Sequence, residues 1–180
     1  LLIEKKAYPR HKVCGEYLSN EVLPYFNSLN IDLEKDLKSV KINNLLYSTQ
    51  NAKSIEAPLN LGGLGLSRHA LDHYLFNKAE ESGAKTMLDS VENINFKDDE
   101  FNLRLSSGKE LTASLVLGAF GKRSNLDKSL KRDFIQEKSS WLAIKGHYKL
   151  PDFPENLVAL HNFKGGYCGL SKTEAGVVNA

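Results

Sequence analysis

Leu1-Leu2-Ile3-Glu4 constrains the fold more than any other stretch of the chain. Three successive apolar residues leave no polar face, which suits a strand covered on both sides, as in parallel sheets. The carboxylate that ends the run then emerges at the sheet's carboxyl edge. In doubly wound nucleotide-binding folds an acidic side chain at that place accepts hydrogen bonds from ribose hydroxyls. The chain turns soon afterwards, because Pro9 fixes its own φ, removes a donor and biases Tyr8 towards extended geometry. Arg10 and Lys12 follow, with positive charge suited to a diphosphate or an anionic ring. Gly15 permits close approach of backbone to a flat ligand.

The series Pro9-Arg10-x-Lys12-x-Cys14-Gly15, at its fixed distance from Glu4, resembles the P-R-x-K-x-C-G motif of geranylgeranyl reductase-like flavoproteins. These belong to the wider p-hydroxybenzoate hydroxylase-like class of FAD enzymes. Ser67, Arg68, Leu71, Asp72, Leu75, Ala79, Gly83 and Ala84 stand in register with the same family's S-R helix. Gly118-Ala119-Phe120-Gly121, followed by Ser124, resembles G-A-D-G-x-x-S with Phe120 in place of the Asp. Gly165-Gly166-Tyr167-Cys168-Gly169-Leu170 resembles the family's G-G-Y-x-G-L strand.

The resemblance implies a cofactor, FAD, and roles for particular residues. Glu4 would bind the adenosine ribose, with Lys5, Arg10, Lys12 and Arg68 on the cofactor's anionic and flavin parts. The backbone near Val91 would lie over the adenine, and Gly121, Arg123 and Ser124 would offer donors. Cys14 and Gly15 would flank the isoalloxazine ring as the catalytic pair, with Tyr167 and Leu170 lining the substrate chamber. Phe120 removes an Asp that in relatives helps hold the diphosphate and flavin region. NAD(P)H is the reductant implied by analogy.

Elsewhere periodicity and punctuation set the expectations. Ser19 is placed to cap a helix reaching about residue 30, its apolar side closed by Leu29 and Ile31. Residues 40–47 and 54–59 read as antiparallel strands joined at Thr49-Gln50-Asn51. The glycine-rich run 61–66 lacks G-x-G-x-x-G spacing and is expected to be a linker. Ser67 caps, and Gly83 stops, a helix over 68–82 with Leu71, Leu75 and Ala79 inward. Strands are expected at 85–89, 91–96 and 101–105, with turns at Asp98-Asp99-Glu100 and Ser107-Gly108-Lys109. Leu115-Val116-Leu117-Gly118-Ala119 reads as a fully buried parallel strand. Further strands are expected at 140–148, 157–161, 166–171 and 176–180.

Several function classes are excluded by bulk properties. A balance of 24 basic and 22 acidic residues gives +2, too little charge to imply a nucleic-acid partner. No apolar run approaches the roughly 18 residues of a membrane span. Two cysteines suggest no disulfide framework and fit a reducing cytoplasm. His69 and His73 share a helix face but lack a third ligand, so no metal is expected there.

The fold expected is α/β: an interrupted FAD-binding Rossmann-like domain (1–38 and 66–128) with an antiparallel β-sheet substrate domain (39–65 and 129–180). Glu4 stands too early for a preceding strand and glycine motif, so the chain is expected to be the middle portion of such an enzyme. It would act on an organic substrate, isoprenoid or aromatic, as a reductase or monooxygenase. The alternative is a flavin-free relative that kept the fold as a binding or scaffold protein, which Phe120 favours and Glu4, Arg68 and Cys14-Gly15 oppose.

Overall fold

In chain order the strands are β1 (Leu2–Glu4), β2 (Tyr17–Ser19), β3 (Val40–Ser48), β4 (Ser54–Gly65), β5 (Thr86–Leu88), β6 (Val91–Lys97), β7 (Glu100–Leu105), β8 (Glu110–Ala113), β9 (His147–Tyr148), β10 (Leu157–Phe163), β11 (Gly166–Lys172) and β12 (Val178–Asn179). The helices are α1 (Leu23–Ser28), α2 (Leu33–Leu37), α3 (Arg68–Glu81) and α4 (Asn125–Ser129), with short 3-10 turns at Asn20–Val22 and Asp133–Gln136. This computed structural model describes residues 1–121, 124–137 and 139–180. No helix among them is long and apolar enough to cross a membrane. The chain forms two units, one of residues 1–7 and 77–142, the other of residues 8–76 and 143–180.

In the first unit β1 pairs with β5 in parallel, Glu4 opposite Leu88. The other sheet is an antiparallel meander, β6-β7-β8. Its first turn holds Asp98 and Asp99 at φ of 53° and 61°. That is the two-residue geometry whose twist matches paired strands. Asp89 binds the start of this sheet: its Oδ1 accepts from Ser106 Oγ at 2.6 Å and from Ser90 N at 2.7 Å. These bonds, led by Ser106, hold its carboxyl down at about 2.

The expected buried strand at 115–119 is corrected here. The segment has no ladder, and Leu115 and Leu117 are 71% and 84% exposed. Among the described residues β1 and β5 pair only with each other. Among the described residues the run joins neither open edge of that pair, and its leucines stay exposed.

The second unit is built on a seven-stranded sheet in the order β2-β4-β3-β10-β11-β12-β9. Its only parallel pair among the described residues is β3 with β10. The core packs Ile31, Leu33, Leu64, Leu66 and Leu71, with Leu18, Leu23, Phe26, Tyr74 and Leu75 against them. Burying each large aliphatic side chain stabilises by about 1.5–3 kcal/mol. Ile31 thus closes the first helical segment as expected, whereas Leu29 is exposed. Ser19 does cap, accepting from Glu21 N, but it opens a 3-10 turn ahead of α1.

The glycine-rich run is also corrected: residues 61–65 are strand, the second half of β4, paired with β2 and β3. A Cβ on Gly65 would collide with the Lys172 carbonyl oxygen, and one on Gly63 with the Tyr17 ring. Gly62, at φ 69°, sits where the β3–β4 register shifts. The glycines therefore serve close packing and a bulge. At 140–148 the strand shortens to β9, leaving Trp141, Leu142 and Ile144 exposed.

α3 meets its expectation at both ends. Ser67 Oγ accepts from Ala70 N at 3.1 Å. At the other end Ala84 N donates to Ala79 O and Gly83 N to Glu80 O, with Gly83 at φ 89°. That pair of bonds is the Schellman arrangement, which glycine permits without strain.

Candidate functional site

The loop from Tyr8 to Glu16 is held by one buried side chain, Glu16, which is 2% exposed. Its Oε1 accepts from Arg68 N at 2.9 Å and from Lys145 Nζ, and its Oε2 is bonded to His147 Nε2 at 2.7 Å. Glu16 itself adopts a left-handed φ of 52°, and its carbonyl accepts from Leu66 N. Burial alone would raise its carboxyl pKa. The bonds from Lys145, His147 and the Arg68 amide prevail and hold it below the ordinary range. An ionised carboxylate only accepts, so His147 carries its hydrogen on Nε2.

Other contacts pin the loop's backbone. Asn179 Nδ2 donates to Gly15 O at 3.0 Å and to Cys14 O at 3.4 Å, and Lys145 Nζ donates to Lys12 O at 3.2 Å. Nearby, Glu174 accepts from Ser67 N at 2.7 Å and from Ser67 Oγ at 2.5 Å. A Cβ added to Gly15 would meet nothing within 4 Å, so the space over the loop there is open.

A cation at a helix start needs an anion, and for Arg68 the structure supplies one. Its Nε and Nη2 donate to both oxygens of Asp72, one turn on, at 2.7 and 2.9 Å. Lys12 Nζ shares the same carboxylate at 2.7 Å. Asp72 raises the Arg68 pKa, and Cys14 contributes in the same sense. Burial would raise the Asp72 carboxyl, but Arg68 and Lys12 lower it on balance. Arg10 lies over the Tyr8 ring at 4.5 Å. Two of the expected cofactor cations, Arg68 and Lys12, are thus engaged with Asp72.

The sheet's alternation sorts the remaining expectations in this unit. Ser171 pairs with Asn179, and Asn179 with His147, so these share a face with Gly169 and Tyr167. Asn179 carries the Cys14–Gly15 carbonyls, so Tyr167 stands on the loop's face. Leu170 and Cys168 point to the reverse face. The joint placement of Tyr167 and Leu170 in one chamber is corrected accordingly, since residues three apart on a regular strand face opposite ways. Cys14 and Cys168, both free, are divided by the sheet.

The first unit holds the other expected residues. Glu4 ends β1 and Lys5 is exposed in the turn beyond it. Val91 opens β6 opposite Leu105. Gly121 has φ 79°, and Ser124 Oγ caps α4 by accepting from Leu126 N at 3.1 Å. Arg123 lies outside the described residues. Phe120 packs over Gly118, with the Arg132 guanidinium 6.0 Å from its ring.

Sequence reasoning passed over Glu16, Lys145, His147, Glu174 and Asn179. Glu16 was visible as the residue after Cys14-Gly15. Lys145 and His147 were visible only as an alternating pair, with no signal that their partner lay 129 and 131 residues away.

Comparison with known proteins places the fold. No protein-family profile matches the chain, and no curated protein does. Solved structures match over nearly all of it, and the fold they define is that of FAD flavoproteins. A flavoprotein/dehydrogenase from Cytophaga hutchinsonii superposes with a TM-score of 0.75 at 17% identity, over 98% of this chain and 47% of that one. The halogenase PltM, in complex with phloroglucinol and FAD, gives 0.73 at 16% identity over 98% and 45%. FqzB gives 0.76 at 15% identity over 99% and 45%. The chain spans less than half the length of each of these structures.

Proposed function

We propose that this chain supplies cofactor- and substrate-binding parts of an FAD-dependent oxidoreductase that reduces or monooxygenates an organic, isoprenoid or aromatic substrate, with NAD(P)H as reductant. The observation that carries the reading is the P-R-x-K-x-C-G loop. Its backbone is pinned from below by Glu16, Lys145 and Asn179 and is open above Gly15. A flat ring needs a floor of that kind, rigid and free of side chains. Likeness in fold to FAD-bound PltM supports the same cofactor.

The donor set fits FAD in part. Glu4 would accept from ribose hydroxyls, Lys5 and Arg10 would offset phosphate charge, and Val91 would lie against the adenine. Gly121 and Ser124 would offer backbone donors. Lys12 and Arg68 would act with Asp72 as one group that keeps a single net positive charge, contributing hydrogen-bond direction as well as charge. Bound FAD would supply hydride and oxygen chemistry. Cys14 and Gly15 would face its ring, with Tyr167 as the substrate-side contact. In this reading residues 1–38 and 66–128 serve the cofactor, and 39–65 and 129–180 the substrate.

The test is Glu4→Ala, followed by FAD titration of apoprotein. Loss of hydrogen bonds to a charged group should weaken binding by about 1.5–3 kcal/mol. Equal affinity in variant and parent would remove Glu4 from the site.

A further inference from the structure

We propose that His11, Glu16 and His147 form a binding site for a borderline transition-metal ion such as Zn²⁺ or Co²⁺, independent of any flavin. One ligand atom from each residue lies within 4.8 Å of the others. Two imidazoles and one carboxylate make a donor set that favours late first-row metals over Mg²⁺ or Ca²⁺, which take oxygen ligands. His69 stacks on His11 at 4.8 Å between ring centroids, and His11 meets His147 edge-on at 5.1 Å, so three imidazoles crowd one spot.

The anchor is already built. The Glu16 side chain is fully buried and positioned through Oε1 by Lys145 and Arg68 N, which leaves Oε2 to its bond with His147 Nε2. A metal ion would take the place of the hydrogen between those two atoms, which passes to Nδ1 of the same ring so that His147 ligates as a neutral imidazole, with His11 moving in as the third ligand. Ligand imidazoles must be neutral. The Lys145 charge opposes a cation, as does Lys12, although Lys12 is paired with Asp72. Binding is therefore moderate.

The experiment titrates the full chain, without flavin, with Co²⁺ or Zn²⁺ alone by calorimetry and, for Co²⁺, visible absorption. We expect one ion per chain and a ligand-field spectrum. His11→Ala, an exposed position whose loss leaves the Glu16 network intact, should weaken binding by about tenfold or more, in line with the 10–100-fold typical of losses around metal sites. His147→Ala should do the same, and His69→Ala should have little effect. Absence of saturable binding, equal affinity in parent and His11→Ala, or a loss in His69→Ala as large as in His11→Ala would overturn the assignment. Flavin affinity is read separately in the same preparations, so failure here leaves the oxidoreductase reading standing, and the reverse holds too.

Discussion

Glu16 ties together parts of the second unit that are far apart in sequence: the loop before it, the start of α3 and the residues leading into β9. Its replacement by Gln keeps the shape but leaves Lys145 buried without a counter-charge. Breaking a buried pair by removing one partner costs about 3–5 kcal/mol. Because the folded-state pKa lies below the ordinary value, the carboxylate stabilises the fold above about pH 4. That contribution is lost as pH falls through the lowered value. Urea unfolding should therefore show Glu16→Gln strongly destabilised at pH 7 and much closer to the parent at pH 3. The same difference at both pH values would mean that the ion pair is not what holds the loop. Asp72, lowered by Arg68 and Lys12 against its own burial, carries the same sign.

Among the elements, α3 was legible because its signals are local. Ser67, the Leu71 and Leu75 stripe and Gly83 act within a few residues, and each is found where the spacing puts it. β4 was misread because its glycines report on neighbours that a sequence does not reveal: the Tyr17 ring and the Lys172 carbonyl. The contrast gives a prediction. Gly65→Ala inserts a methyl group against backbone and should cost about 1–3 kcal/mol or more, as overpacking does. Gly83→Ala meets open space and should cost only about 1–2 kcal/mol for its left-handed φ. Thermal unfolding of the two variants should rank them in that order. The reverse order would show that the β4 and β11 ends can separate without cost.

Over the whole molecule, motifs revealed more than periodicity did. The E…P-R-x-K-x-C-G loop and the S-R helix pointed to the fold that FAD flavoproteins share, and solved structures match that fold along 98–99% of the chain. The run 115–119 shows the limit of pattern: its composition demands a covered strand, but burial depends on a partner that composition cannot supply. The hub at Glu16 was illegible for a related reason, since its partners arrive through the β11–β12–β9 ladder, not through spacing. The central claim concerns the cofactor, and the visible absorption spectrum of the protein as its cell makes it tests that claim most directly. Flavin bands, with FAD released on denaturation, are the predicted result. Colourless protein that still binds no FAD on reconstitution would contradict the account and leave the loop, however well anchored, as structure alone.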